Sequence, residues 1–197
     1  VVIAGYALEQ VESYLQADYP EVEIAIQSEQ LGTGHAVNQA EPLLRGFDGD
    51  ILVLSGDVPL LTHATVARLL DAHRKTGAQA TVLSVMLDDP SGYGRIVRGA
   101  DGGGLIRIVE QRDADATTLA INEINSGIYV FRSDALFETL PAVGRGNAQG
   151  EYYLTDVFEL LLQRFGNGSV QVTVDGQERG RMGPAGRPAS RSYVGAK

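Results

Sequence analysis

Apolar positions along this chain fall into two alternating arrangements: short continuous runs, and stretches in which they recur at helical spacing. A short apolar run bounded by turn residues suits a strand, whereas recurrence every three or four residues lines one helix face. Residues 1–4 predict a strand, and Leu8, Val11 and Leu15 a following helix. Residues 22–26 predict a second strand. A helix is expected over about 33–44, with Val37, Ala40 and Leu44 on one side. Residues 51–54 form a continuous apolar run, the signature of a strand buried on both faces. Thr62 is placed to cap a helix carrying Val66, Leu69, Leu70 and His73 on one face, with Gly77 just past its end. Residues 81–87 predict a strand. Two apolar runs within 95–110 flank a Gly-rich turn at 101–104 and predict a hairpin. Residues 124–131 predict another strand. Thr155 is expected to cap a helix ending at Gly166, and Val170–Val174 to return to the sheet.

Strands alternating with helices imply βαβ units, so the fold class is α/β, with a mainly parallel sheet, helices on both faces and a β-hairpin insertion. A length of 197 residues favours one domain, and 44% hydrophobic residues suffice for a core. Residues 176–197 break the pattern, being rich in Gly, Arg, Pro, Ala and Ser. The expected division is therefore a domain over 1–175 and a basic tail over 176–197. That tail reads as an anion-binding segment, a disordered tail, or the product of an out-of-frame reading of GC-rich DNA.

Charge sharpens this division. The net charge of −9 combines a tail of +4 with a body of −13, and an acidic body argues against nucleic-acid binding. With no cysteine, disulfides and Cys-based zinc sites are excluded. His35, His63 and His73 do not stand at metal-ligand spacing and read as helix-surface or cap residues. No apolar run approaches the roughly 18–20 residues that span a bilayer, and the N-terminus lacks the pattern of a signal peptide. The expected location is the cytoplasm, without a membrane partner. The chain opens without Met inside an apolar run, which reads as a cut end.

Three groups of residues could carry chemistry. Gln27 and the run Gln30-Leu31-Gly32-Thr33-Gly34-His35-Ala36 lie between a strand and a helix start, where glycines permit either close approach of a ligand or a tight turn. Ser55-Gly56-Asp57 follows a strand, at the sheet edge where open α/β folds bind ligands. Asp57 there could hold Mg²⁺ or shape the turn before Pro59. Gly94, Glu110 and Asn125 combine glycine, carboxylate and amide beside strands, a mixture that suits sugar hydroxyls as well as ordinary turns. No Ser-His-Asp or Cys-His set supports covalent catalysis.

Together these segments resemble the uridylyltransferase domain of the bifunctional bacterial enzymes that make UDP-N-acetylglucosamine, a Rossmann-like nucleotidyltransferase fold. The resemblance runs from Val1 to about Val174 and is most specific at 30–36, at 88–96 (Asp-Asp-Pro-Ser-Gly-Tyr-Gly-Arg-Ile) and at 147–156 (Asn-Ala-Gln-Gly-Glu-Tyr-Tyr-Leu-Thr-Asp). It implies that Gln27, Gly32 and Thr33 contact uracil, which displaces an anion-binding role for the glycine turn. It also implies that Ser55, Gly56 and Asp57 line the ribose and metal region, with Asp57 a Mg²⁺ ligand, and that Gly94, Glu110 and Asn125 hold N-acetylglucosamine. The implied partners are UTP, N-acetylglucosamine 1-phosphate and UDP-N-acetylglucosamine.

The chain departs from the family pattern in three ways. A Gly-rich phosphate loop with its Arg and a downstream Lys is not found ahead of Val1, which matches the family's second strand. A second metal ligand, an Asn expected after Val174, is replaced by the basic tail. The acetyltransferase domain is absent. No catalytic residue is assigned, and two expectations follow: negligible turnover by this chain, and low stability from a missing strand between 1–4 and 51–54. The alternative to a transferase is a non-catalytic binder of uridine nucleotide sugars, or a decayed fragment.

Overall fold

A computed structural model of the chain describes residues 1–56, 61–100 and 103–174. The elements run β1 (Val2–Ala4), α1 (Leu8–Asp18), β2 (Ile24–Ile26), α2 (Thr33–Asn38), α3 (Glu41–Leu44), β3 (Asp50–Val53), α4 (His63–Thr76), β4 (Ala80–Met86), β5 (Arg95–Arg98), β6 (Leu105–Val109), α5 (Ala116–Leu119), β7 (Glu123–Arg132), α6 (Ser133–Thr139), α7 (Asp156–Phe165) and β8 (Val170–Val174). The tail over 176–197 and the turn residues Asp101 and Gly102 lie outside the described residues.

β1 and β2 pair in parallel as a sheet of their own, while the other six strands form a second sheet. That larger sheet is mixed, which corrects the expectation of a mainly parallel one. β4 and β8 are parallel, but β7 runs antiparallel to β3, β4 and β5, and β5 runs antiparallel to β6. β5 and β6 are joined by a turn too short for a crossover and so run antiparallel. β7 enters between β4 and β5, which run parallel to each other, and opposes both.

β7 organises the sheet. One edge pairs with β4 along most of its length. The other edge is shared: Tyr129–Arg132 pair with β3, and Ile124 pairs with Arg95 of β5. Between them lies Gly127, at φ 78°. The backbone is irregular here on the β4 side too, where register shifts between Val82 and Ser84. Ser126 repairs the ladder, since its Oγ donates to the Leu83 carbonyl at 2.7 Å and accepts from the Ile128 N–H at 3.3 Å.

Alternation along β4 and β7 assigns the two faces. Val82, Tyr129 and Phe131 pack against Val157, Phe158 and Leu161 of α7, and Leu83, Ile128 and Val130 pack against Leu69 of α4. Helices therefore cover both faces, as expected. Phe131 and Phe158 are fully buried, with ring centroids 5.2 Å apart.

Four local expectations need correction. The helix over 33–44 is two short helices, because Pro42 can neither donate its backbone bond nor continue the helix behind it. β3 is half-buried throughout, not buried on both faces, and Leu54 after it is 49% exposed. It pairs only with β7 among the described residues, so its other edge carries no neighbouring strand. His73 is not a surface residue: it is 2% exposed, its Nδ1 lies 2.8 Å from Thr81 Oγ1, and its Nε2 faces Asp50 at 3.5 Å. Burial lowers its pKa despite Asp50. Thr155 stands at the start of α7 but makes no capping bond. Thr62, by contrast, caps α4 through the Thr65 N–H at 3.2 Å, and Gly77 ends that helix in the left-handed region.

Candidate functional site

The fork in the sheet is where Gly94, Glu110 and Asn125 meet. β3 runs toward Gly127 from one end of β7 and continues into Ser55 and Gly56, while Gly94 enters β5 from the other. Ser55 Oγ reaches the Gly127 carbonyl at 3.5 Å. The Asn125 N–H donates to the Gly94 carbonyl at 2.9 Å. A Cβ on Gly94 would stand only 3.2 Å from a Glu110 carboxylate oxygen, so glycine lets the β6 end close over the β5 start. Gly94, Glu110 and Asn125 thus come together as expected.

The Asn125 amide has a fixed orientation. Its Oδ1 accepts from the Gly127 N–H at 3.2 Å, and its Nδ2 donates to the Tyr129 hydroxyl at 2.8 Å. Glu110 accepts from Thr155 Oγ1 at 3.3 Å, so the residue expected to cap α7 holds a site carboxylate instead. Burial raises the Glu110 pKa; the Thr155 hydrogen bond opposes this, and the nearby charges of Asp113 and Asp156 add to it. The cleft beside Glu110, about 320 Å³ in volume, is also lined by Asp113, Asn147, Tyr153 and Asp156.

The second part of the site is the glycine turn. Gly32, at φ 111°, could not carry a side chain, because its Cβ would stand 2.6 Å from the Tyr152 carbonyl. The Gly34 N–H donates to that carbonyl at 2.8 Å, the Tyr152 N–H donates to Leu31 at 2.8 Å, and Thr33 Oγ1 accepts from the Leu154 N–H at 3.0 Å. The glycines therefore serve close backbone packing between the 30–36 and 147–156 segments. Gln27 Nε2 donates to the Gly32 carbonyl at 3.2 Å and lies 3.1 Å from His35 Nδ1, which ties the Gln27 side chain to the same turn.

An arc of contacts results. It runs from Gln27 through the Gly32–Thr33 turn to Tyr152 and Leu154, one residue on to Thr155 and Glu110, then to Gly94 and Asn125, and through Gly127 to Ser55. Of the expected site residues, Gly56 adjoins Ser55 with open space around it, and Asp57 lies outside the described residues. Sequence reasoning overlooked Thr155 and Tyr129 as parts of this site. Their signal was spacing along elements: Thr155 lies at the end of the 147–156 motif, and Tyr129 lies four residues after Asn125 on β7.

A mixed sheet covered by helices on both faces, with polar groups gathered at a strand fork, is an α/β domain. The chain matches the nucleotidyl transferase family over residues 1–177 and belongs to it. It is similar to proteins called bifunctional protein GlmU: 54% identical over 160 residues to that of Exiguobacterium sibiricum, covering 81% of this chain and 35% of the relative. The GlmU of Pelotomaculum thermopropionicum is 49% identical over 164 residues, 83% of this chain and 35% of the relative. That of Cutibacterium acnes is 45% identical over 183 residues, 93% of this chain and 41% of the relative. The chain thus spans a little over a third of the length of the curated relatives it matches.

Proposed function

We propose that this site serves uridylyl transfer from UTP to N-acetylglucosamine 1-phosphate, forming UDP-N-acetylglucosamine and pyrophosphate. An oxygen of the sugar phosphate attacks the α-phosphorus of UTP. A new P–O bond forms, and the bond to the β-phosphate oxygen breaks to release pyrophosphate. Such a reaction depends on positioning and charge neutralisation rather than on a covalent intermediate. The observation that carries the reading is the arc of contacts, which joins residues far apart in sequence into one continuous chain of neighbours.

In this reading Gln27, Gly32 and Thr33 receive the uracil, Ser55 and Gly56 the ribose, and Gly94, Glu110 and Asn125 the N-acetylglucosamine. The Glu110 carboxylate and the Asn125 amide supply an acceptor and a donor suited to sugar hydroxyls. Mg²⁺ would be held by Asp57 and would neutralise phosphate charge when bound. Among the described residues no group of three or more His, Cys, Asp or Glu side chains could hold a metal. Magnesium is commonly held by one or two carboxylates completed by substrate oxygens and water, and Asp57 would supply such a carboxylate. No helix among the described residues is long and apolar enough to cross a membrane, and we place the reaction in the cytoplasm.

Calorimetric titration of the chain with UDP-N-acetylglucosamine, with and without Mg²⁺, tests the reading. Saturable binding is expected, tightened by Mg²⁺ and lost in Gln27→Ala and in Glu110→Ala. Absence of binding by a folded sample would overturn it.

A further inference from the structure

Tyr129 occupies an unusual place for a core aromatic. Its ring is packed between Phe131 and Phe158, with centroids 5.8 and 5.4 Å away, so its position is set by the sheet and by α7. Its hydroxyl emerges from that cluster at the fork and accepts the Asn125 Nδ2 hydrogen at 2.8 Å. The direction of this bond is determined. The Gly127 N–H can only donate, so it takes Asn125 Oδ1 and leaves Nδ2 toward Tyr129. Asn125 therefore has its side chain clamped at both ends, by the bend at Gly127 and by the aromatic core. Because the Tyr129 oxygen accepts here, its own hydrogen remains to be donated elsewhere. Burial holds the phenol protonated, and the charge of Glu110 acts in the same direction.

We infer that Tyr129 is a positioning residue for the sugar subsite: its hydroxyl orients the Asn125 amide, so that the core sets how the sugar is read. The inference rests on the reading of Gly94, Glu110 and Asn125 as the sugar side. A buried amide donor left without an acceptor turns to find another, and the geometry offered to a ligand changes with it. Replacing the hydroxyl with hydrogen in Tyr129→Phe keeps the ring and its packing, which isolates this effect.

The test compares two ligands, UDP and UDP-N-acetylglucosamine, whose affinity ratio reports the sugar contacts alone. In Tyr129→Phe, UDP-N-acetylglucosamine is expected to bind about tenfold more weakly, with UDP affinity unchanged. In an Asn125→Ala background the same substitution is expected to do nothing further, because the group it acts through is gone. Equal weakening of both ligands, or a full additional loss in the Asn125→Ala background, would overturn the inference. If the parent chain binds UDP and UDP-N-acetylglucosamine equally, the sugar-side reading fails and the inference falls with it. Exchange of the Asn125 side-chain amide hydrogens, followed by NMR without ligand, gives a second readout. It should quicken in Tyr129→Phe, and unchanged exchange in a folded variant would also overturn the inference.

Discussion

β1, β2 and α1 carry the approach to the proposed uracil side on a unit with almost no interior, whereas the proposed sugar side stands on β7 in the middle of the larger sheet. Between residues 1 and 33 only Ala4 and Ala25 are buried, and α1 buries no residue. Tyr6 is 91% exposed, and Tyr14, Tyr19 and Ile26 are exposed as well. On β7, Ile124, Val130 and Phe131 are fully buried, and the strand has neighbours on both edges. The proposed base side is held to the rest by hydrogen bonds to the Tyr152 and Leu154 backbone and by the partly buried Ile3, the proposed sugar side by extensive side-chain packing. Hydrophobic burial is cooperative and extensive, while a few hydrogen bonds fix geometry at a modest net gain of about 0.5–1.5 kcal/mol each. The two halves of one cleft should therefore differ in rigidity.

The largest expected effect tests that difference directly. Phe131→Ala removes a fully buried ring from the aromatic cluster and should cost about 3–5 kcal/mol in urea unfolding. Leu15→Ala on α1 empties a half-buried position and should cost about 1 kcal/mol or less. Native-state hydrogen exchange should rank the same way, with β1 and β2 amides opening before those of β7. Equal costs for the two substitutions would show that the first unit is as firmly packed as the second.

Gly32→Ala sharpens the comparison at the junction. The φ of 111° and the 2.6 Å approach of a Cβ to the Tyr152 carbonyl make the substitution strained, at about 1–3 kcal/mol. The expected readout is selective: UDP binding falls while exchange protection of β4 and β7 stays as in the parent. Loss of protection across the whole sheet would mean that the turn supports the core and not only the base side.

This comparison also explains what the sequence revealed. The strands and long helices of the packed half were legible because periodicity reports burial, as at Leu69 and along β4. Burial of β3 was overread, since an apolar run does not say how many neighbours a strand has. Strand direction was misjudged because direction depends on the crossover, and the residues between β5 and β7 carry no helical pattern long enough to reveal or exclude one. The split at Pro42 was written in the sequence but outvoted by spacing. α6 is only seven residues long, too short for periodicity to define. At the site, motif resemblance gathered Gly94, Glu110 and Asn125, but not the residues that hold them. Thr before an acidic, apolar run usually caps a helix, whereas tertiary contact gives the Thr155 hydroxyl to Glu110. Tyr129 was hidden inside an apolar strand, where its ring read as core and its hydroxyl went unnoticed.

The smallest expected effect concerns Glu110, where the sugar side pays for its burial. Burial raises the folded-state pKa of this carboxyl above its ordinary value. The folded chain therefore binds more protons than the unfolded one between those two values, and the contribution of Glu110 to stability falls as pH rises through that window. Glu110→Gln removes the titration but keeps the shape and the hydrogen-bonding capacity toward Thr155. At neutral pH the variant should be more stable than the parent, by on the order of 0.5–1 kcal/mol. The difference should close as pH falls through the raised pKa toward the ordinary carboxylate range. Asp156, whose pKa burial also raises, is retained in both chains, and the part of the difference that comes from its coupling to Glu110 has the same sign. A variant that gains stability while binding UDP-N-acetylglucosamine less well than UDP predicts would mark Glu110 as a charge kept for its ligand. A difference independent of pH would show instead that burial does not set the state of this carboxyl, and the sugar side would then be as open to water as the base side.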